Sequence, residues 1–180
     1  MLATEMGADE AEAALRAHPG LCIAGINGPA STAVAGPRAA LESLAQDLRR
    51  RGLRCTPIDF SHAFHSAAME PMLAPFAQIM AGLSLRQPLI PLVSNITGDA
   101  GADVTDPGYW ARQARAPVRF AEGVPTLRRH GAGTVVEIGP RTPLLGLIAR
   151  IDEGLSLLPS LRKGQEDWAM LLGSLGRLYE

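Results

Sequence analysis

Residues 59–72 read DFSHAFHSAAMEPM, and this stretch holds two of the four histidines of the chain. It also marks a change in pattern. Before it, short apolar runs alternate with helical patterns, as in a small sandwich of strands and helices. After it come an apolar helix and then strand–loop–helix units, which are typical of an α/β layer. A polar, histidine-rich loop at such a junction is where we expect a functional site.

The sequence before residue 60 predicts the element order βαββαβ, which is that of a ferredoxin-like sandwich. Short apolar runs indicate strands, and apolar residues at helical spacing indicate helices. Residues 27–30 form a turn that makes a hairpin of the two middle strands. The predicted elements are a strand at Met1–Thr4, a helix at Asp9–Ala17, strands at Leu21–Ile26 and Ser31–Ala35, a helix at Arg38–Arg51 and a strand at Leu53–Ile58.

The remainder of the sequence alternates helices with short apolar runs, which predicts a parallel α/β layer. The predicted fold class is therefore α/β, with an α+β small subdomain at its start. The predicted elements are a helix at Glu70–Leu83, a strand at Ile90–Ser94, helices at Tyr109–Arg115 and Arg119–His130, a strand at Thr134–Ile138, a helix at Leu144–Arg150, an extended segment at Leu157–Leu161 and a helix at Asp167–Tyr179.

Composition excludes several classes of partner. The net charge is −1 and the charges are scattered, which argues against a nucleic-acid or anionic-membrane surface. No apolar run reaches the ~18 residues of a membrane span, and the N-terminus has no signal pattern. Cys22 and Cys55 lie in apolar, strand-like runs, so we expect buried thiols in a reducing cytoplasm, with a disulfide between neighbouring strands as the alternative.

His62 and His65 are the side chains of the loop best suited to chemistry. Three residues apart, they could share a helical face and bind a metal, but no carboxylate or cysteine at a recognisable spacing supplies a third ligand. We therefore predict no metal site. An imidazole titrates near neutral pH and can serve as a general base. The alternative is a histidine that only makes a structural hydrogen bond.

A nucleophile for such a base is missing from the sequence. No Gly-x-Ser-x-Gly elbow occurs, and neither a P-loop nor a Gly-x-Gly-x-x-Gly loop is present. Ser31 and Ser66 lack the strand–turn–helix setting of an elbow. The residues by themselves do not form a complete nucleophilic enzyme.

A series of motifs, in order, resembles those of the acyltransferase domains of type I polyketide synthases, and together they cover almost the whole chain. The histidine motif of that family is matched by residues 62–72. The other matches are Asn27-Gly28-Pro29, residues 94–98 (Ser-Asn-x-Thr-Gly), residues 106–110 (Asp-Pro-x-Tyr-Trp), residues 117–120 (Pro-Val-Arg-Phe), residues 136–140 (ending in Gly-Pro) and the segment from Leu158 through the Trp168 helix.

The resemblance implies transfer of malonyl-type units from coenzyme A to the phosphopantetheine thiol of an acyl carrier protein, through an acyl-serine. It implies an α/β-hydrolase-like large subdomain with a ferredoxin-like small subdomain inserted. By position, His65 corresponds to the catalytic base, and the main-chain carbonyl of Gln113 to the group that orients it. Asn27, His62 and Phe64 correspond to substrate-binding positions near the acyl pocket.

The His-Ala-Phe-His form of the motif is the one associated with malonyl selectivity. A bulky Phe64 leaves less room for the α-methyl branch of a methylmalonyl unit. One methyl group changes binding by only ~1–3 kcal/mol, so the expected selectivity is not absolute.

The serine elbow, the oxyanion-hole residues and the carboxylate-binding arginine of the family lie upstream of the small subdomain and have no counterpart in this sequence. The resemblance therefore implies the C-terminal part of an acyltransferase domain, inactive alone. Its expected divisions are residues 1–60 (small subdomain), 61–150 (C-terminal part of the large subdomain) and 151–180 (linker and helix). We expect exposed apolar surface, and hence self-association or a tight partner chain.

The implied partners are an acyl carrier protein, a coenzyme A thioester, the N-terminal half of the domain and an adjacent ketosynthase, with no cofactor, nucleic acid or membrane. An alternative of another class is a non-catalytic ferredoxin-like module that docks an acyl carrier protein. A free-standing hydrolase is disfavoured because the elbow is missing.

Overall fold

A four-stranded antiparallel sheet begins the fold in the computed structural model, which describes residues 1–59 and 62–179. Two helices join its strands and complete the order βαββαβ. In space the strands follow the order β2-β3-β1-β4, which is that of a ferredoxin-like sandwich and confirms the predicted fold class. The elements are β1 (Leu2–Thr4), α1 (Ala8–Leu15), β2 (Cys22–Gly28), β3 (Ser31–Ala35), α2 (Arg38–Arg50) and β4 (Cys55–Pro57).

The two faces of this sheet carry side chains of different size, because neighbouring residues of a strand point to opposite faces. On one face, Val34 of β3 packs with Leu44 and Leu48 of α2 in the main apolar core. On the other face, the buried side chains are the alanines Ala24, Ala33 and Ala35. Ala63 of the histidine loop packs against these alanines. The small-residue face therefore admits the loop, whereas the large-residue face is covered by helices.

Val118 meets the outer edge of β2. The amide of Val118 donates to the carbonyl of Ala24 (2.9 Å), and the amide of Ile26 donates to the carbonyl of Val118 (2.7 Å). Gly25 and Val118 form a parallel bridge. The register of β2 against β3 shifts between Ile23 and Gly25, as at a β-bulge. These hydrogen bonds thus fix the segment around Val118 to the small sheet.

Two helices, α3 (Glu70–Ala81) and α4 (Pro107–Arg115), pack against each other, and a short 3₁₀ turn, Ala67–Met69, precedes α3. The start of α4 follows from its sequence. Asp106 is the N-cap residue, and its carboxylate accepts a 2.9 Å hydrogen bond from the amide of Gly108. A proline follows in the first turn, where its missing N–H is not needed.

The turn at residues 94–98 is fixed to its surroundings by main-chain and side-chain hydrogen bonds. The hydroxyls of Ser94 and Tyr109 are 3.0 Å apart and buried. The amide of Arg119 donates to the carbonyl of Asn95 (2.8 Å). Gly98 has a φ of +71°. A Cβ on Gly98 would lie 2.5 Å from the Cβ of Glu122, so this close approach requires glycine.

The predicted strand at Ile90–Ser94 is wrong. The structure has only an isolated antiparallel bridge between Val93 and Ala100 there. Leu89 and Ile90 are exposed, and Pro91 interrupts the run. A strand needs a neighbour to pair with, and proline cannot donate to a ladder. Apolar character alone therefore did not make this run a strand.

Residues Met1–Gly123 form one compact unit and the residues from Val124 onward form a second, so the division falls within the helix α5 (Phe120–Arg129). The boundaries predicted at residues 60 and 150 remain predictions. In the second unit the strands β5 (Thr134–Glu137) and β6 (Ser156–Pro159) pair in parallel, as the predicted layer requires. None of the helices among the described residues is long and apolar enough to cross a membrane. The later elements are α5 (Phe120–Arg129), β5 (Thr134–Glu137), α6 (Pro143–Ile151), β6 (Ser156–Pro159) and α7 (Asp167–Leu178).

Glu137 joins the end of β5 to the start of α6. Its two carboxylate oxygens accept hydrogen bonds from the amides of Leu144 (3.2 Å) and Leu145 (2.9 Å). A helix leaves its first amides without partners inside the helix, and a carboxylate satisfies them. In the same unit, the hydroxyl of Ser174 in α7 donates to the carbonyl of Pro159, the partner of Glu137 in the sheet (2.7 Å). The motif at residues 136–140 therefore has a structural role in this unit.

Candidate active site

The backbone of His65 is in the left-handed region, with a φ of +59°. A residue other than glycine is strained there and needs neighbours that hold it. The amide of His65 donates a 3.2 Å hydrogen bond to the carbonyl of Ala114, near the end of α4. The following hydroxyl, of buried Ser66, donates to the carbonyl of Ala63 (2.6 Å) and accepts from the amide of Ala68 (3.2 Å). Ser66 is therefore used as a structural cap.

The ring of His65 is oriented by a main-chain carbonyl. Its Nδ1 atom lies 2.8 Å from the carbonyl oxygen of Ala116. Because that oxygen can only accept, Nδ1 carries the hydrogen and the lone pair of a neutral ring is on Nε2. The resemblance assigned this carbonyl to Gln113, but the structure gives the contact to Ala116. Gln113 lies within α4, whereas Ala116 is extended just beyond its end, so its carbonyl can turn toward the ring.

The residues before and after Ala116 are both held by neighbouring elements. Val118 is bonded to the edge of β2, as described above, and Arg115 forms a 2.6 Å ion pair with Glu70 at the start of α3. Both members of this pair are partly exposed, so its contribution to stability is small. The carbonyl that meets His65 is thus fixed by the small sheet and by the helix pair α3–α4.

His62 and Phe64 contact each other. Their ring centroids are 5.9 Å apart with an angle of 48° between the planes. Both side chains are exposed, Phe64 by 45 %. His62 also lines a cavity of about 560 Å³ together with Leu41, Ala45 and Arg49 of α2. The two residues are thus exposed at the surface, whereas His65 is half-buried.

Asn27 lies near the far end of β2. It is half-buried, and its Oδ1 atom lies beside the Cα of Gly25, within 3.4 Å of where a Cβ would stand. Cys22, at the start of β2, is the residue of this strand that contacts His65. Asn27 directly follows Ile26, whose amide donates to the carbonyl of Val118, two residues after Ala116. The role of Asn27 near the acyl pocket stays a prediction.

Metal-ligating side chains do not cluster in the described part of the chain. No group of three or more His, Cys, Asp or Glu residues there is close enough to hold a metal ion. Cys22 and Cys55 are free thiols and are half-buried. Burial raises the pKa of the Cys22 thiol, and the positive charge of Arg115 and the amide of Ala67 oppose that shift. The Cys22 thiol is therefore neutral near pH 7.

The sequence did not indicate Ala114, Ala116 and Val118, although they hold His65 or its partner. Each acts through main-chain atoms, which every residue possesses, so residue type carries no signal. The motif Pro-Val-Arg-Phe at residues 117–120 drew attention to the segment that contains Val118, but only through the family resemblance. Cys22 was predicted only as a buried thiol; the structure shows it half-buried and in contact with the histidine loop.

Comparison with known proteins identifies the family. The model of the "Acyl transferase domain" family matches residues 1–178. Mycoketide-CoA synthase of Mycobacterium tuberculosis is 36% identical over 98% of this chain, which covers 4% of that protein. The polyketide synthase GfsA of Streptomyces halstedii is 36% identical over 99% of this chain, which covers 2% of it.

Solved structures of acyltransferases support the same family. The acyltransferase domain from the second module of the salinomycin polyketide synthase superposes with a TM-score of 0.92 at 34% identity, over 99% of this chain and 43% of that one. A loading acyltransferase of the avermectin modular synthase gives a TM-score of 0.89 at 27% identity, over 99% of this chain and 58% of that one. The chain thus spans less than two thirds of each of these relatives. Its sequence and fold show that it belongs to the acyl transferase domain family and resembles the acyltransferase domains of type I polyketide synthases.

Proposed function

We propose that this chain is the histidine-bearing part of a polyketide synthase acyltransferase, which moves a malonyl-type unit from coenzyme A to the phosphopantetheine thiol of an acyl carrier protein. The observation that carries the proposal is the 2.8 Å contact between Nδ1 of His65 and the carbonyl of Ala116. It leaves Nε2 of the half-buried ring as the acceptor of a proton. The family relationship supplies the reaction class.

His65 takes part in both halves of the proposed reaction. In the first half, Nε2 accepts the proton of a serine hydroxyl while the serine oxygen attacks the thioester carbonyl. The carbon–sulfur bond then breaks, and the proton moves from His65 to the sulfur of coenzyme A. In the second half, His65 accepts the proton of the carrier thiol, which attacks the serine ester, and returns that proton to the serine oxygen. No cofactor is needed, because no oxidation or reduction occurs.

The serine of this proposal comes from another segment of polypeptide, since no Gly-x-Ser-x-Gly sequence occurs in residues 1–180. We propose that this segment is the N-terminal part of the same domain, with a ketosynthase adjacent to it. Exposed apolar side chains support the need for a covering partner. They include Leu89 and Ile90 in the first unit and Ile138 and Trp168 in the second.

Phe64 and His62 form the proposed wall of the acyl pocket on the side of the histidine loop, and Asn27 lies farther along β2. The exposed ring of Phe64 would take up the space that an α-methyl group requires. The proposal is therefore a preference for malonyl over methylmalonyl units of limited strength, because one methyl group changes binding by ~1–3 kcal/mol.

Reconstitution tests this function. The chain is mixed with an N-terminal segment that carries the serine elbow of a homologous domain, and transfer of malonyl from coenzyme A to carrier protein is followed by intact mass. We expect transfer only when both parts are present, and a fall of roughly 10²–10⁴-fold for His65→Ala. His130→Ala, an exposed histidine of the second unit, is the matched control.

The docking alternative gives a different result in the same experiment. A non-catalytic module would bind carrier protein equally well with and without His65, and would not promote transfer. Full transfer by the His65→Ala variant, at a rate equal to that of His130→Ala, would overturn the catalytic proposal.

A further inference from the structure

Three polar groups of His65 make hydrogen bonds with three different residues. Its amide donates to Ala114, and its Nδ1 donates to Ala116, both at the end of α4. Its carbonyl oxygen lies 3.6 Å from the Sγ atom of Cys22, at the start of β2. That distance suits a thiol donor, because sulfur is larger than oxygen or nitrogen. The third contact comes from a side chain and can therefore be removed by substitution.

Each contact restrains a different rotation. The amide belongs to the peptide plane before His65, and the carbonyl belongs to the plane after it. Fixing both planes fixes φ and ψ of His65, and the Nδ1 contact then fixes the ring. This matters because a φ of +59° is unfavourable for a histidine and relaxes unless its surroundings over-determine it.

We propose that Cys22 is a positioning residue for His65: its thiol holds the carbonyl of His65 and so keeps the ring aimed with Nδ1 on Ala116 and Nε2 free. The inference rests on the proposed role of His65 as the base of acyl transfer. It does not require Cys22 to touch substrate. The thiol acts on the reaction only through the conformation of the loop.

The surroundings of Cys22 fit this role. Cys22 pairs with Ala35 in the sheet and packs on the alanine face, where Ala63 of the loop also packs. A neutral thiol is a donor, and burial keeps it neutral by raising its pKa. The carbonyl of Ala35 is a second acceptor at 3.8 Å, so one hydrogen is shared between the sheet and the loop. Cys22 therefore links the strand directly to the histidine.

Ring tautomers provide the test. Long-range ¹H–¹⁵N spectra of the chain, at alkaline pH where imidazole is neutral, report which nitrogen carries the hydrogen. The spectrum of His65→Asn identifies the His65 signals. We expect separate Nδ1 and Nε2 shifts of the Nδ1–H tautomer in the unsubstituted chain. In Cys22→Ala the two shifts should move toward each other as tautomers mix, and Cys22→Ser, which keeps a donor, should restore their separation.

Cys55→Ala is the matched control, because the Cys55 thiol donates to the carbonyl of Ala45 instead of the loop. It should lose stability as Cys22→Ala does, yet leave the His65 shifts unchanged. Identical His65 shifts in Cys22→Ala, Cys55→Ala and the unsubstituted chain would overturn the proposal. So would an Nε2–H tautomer in the unsubstituted chain.

An activity measurement in the reconstituted domain separates this inference from the proposed function. We expect Cys22→Ala to lower kcat about two- to fivefold with KM unchanged, as loss of one weak hydrogen bond predicts, and Cys22→Ser to recover it. An unchanged kcat in Cys22→Ala counts against the positioning role alone. An unchanged rate in His65→Ala counts against the base, whatever the spectra show.

Discussion

Nδ1 of His65 and the main-chain carbonyl of Ala116 are 51 residues apart in sequence and 2.8 Å apart in the fold. A carbonyl oxygen is a neutral acceptor, so it selects the ring tautomer without placing a charge beside the ring. Its position depends on Val118, which is bonded to Ala24 and Ile26 of β2. The small sheet, the histidine loop and the end of α4 therefore form one connected site.

Replacing Phe64 tests the proposed basis of substrate selection. We expect Phe64→Ser to lower the preference for malonyl over methylmalonyl about tenfold, because a methyl group in a pocket is worth ~1–3 kcal/mol. Competing acylation by an equal mixture of the two thioesters, read by mass, measures the ratio. Tyr179→Ser, at the exposed end of α7, is the control. An unchanged ratio in Phe64→Ser would show that the ring does not border the acyl unit.

Alanine substitutions at Gly98 and Gly101 separate two contributions to the loss of stability: the clash of an added Cβ and the strain of a positive φ. Both have positive φ, +71° and +86° respectively. A Cβ at position 98 would lie 2.5 Å from Glu122, whereas one at position 101 would meet nothing within 4 Å. We expect Gly101→Ala to lose about 1 kcal/mol and Gly98→Ala about 1–2 kcal/mol more, measured by denaturant unfolding. Equal losses would mean that the turn can move away from α5.

The carboxylate of Glu137 should stabilise α6. Glu137→Ala removes the acceptor for the amides of Leu144 and Leu145, and helix caps contribute about 0.5–2 kcal/mol. A loss of about 1 kcal/mol in denaturant unfolding is therefore expected. Glu153→Ala, in the loop after α6, should change stability by less than about 0.5 kcal/mol. A Glu137→Ala variant as stable as Glu153→Ala would refute the capping role.

Asp106 should make stability depend on pH. The Arg112 guanidinium and the Gly108 amide lower the pKa of its carboxyl in the folded state. Stability from this group is therefore present above the ordinary aspartate pKa of about 3.9 and is lost as pH falls through the lower folded value. The difference in urea midpoint between the unsubstituted chain and Asp106→Asn should shrink between pH 6 and about pH 3. A pH-independent difference would contradict this.

The sequence predicted the small sheet well, because its strands and helices have short, distinct patterns. The helix at Arg38–Arg51 was confirmed as α2, and the strand at Ser31–Ala35 has the bounds that were predicted. The three-residue strand β1 was also predicted. Its central position in the sheet could be inferred only from the fold type and not from its own residues. Once the order βαββαβ is recognised, the spatial order of strands follows from a known topology.

The candidate site was less predictable. The type and spacing of His65 pointed to a base, but the carbonyl that orients it belongs to an alanine and was assigned to Gln113 instead. The end of α4 at Arg115 was predicted, and Pro117 favours the extended conformation of Ala116 before it. The hydrogen bonds of Val118 to β2, which fix this segment, are not indicated by residue type. The strand predicted at Ile90–Ser94 failed for a related reason, since an apolar run does not reveal whether a neighbouring strand is present.

Single-turnover acylation measures the role of His65 most directly. The reconstituted domain is mixed with malonyl coenzyme A in excess, and the acyl-serine is quantified by mass within one turnover, before carrier protein is added. If Nε2 of His65 is the base, His65→Ala should form the acyl-serine roughly 10²–10⁴ times more slowly, while His130→Ala keeps the unsubstituted rate. Acylation of the serine at the same rate in His65→Ala and His130→Ala would contradict it.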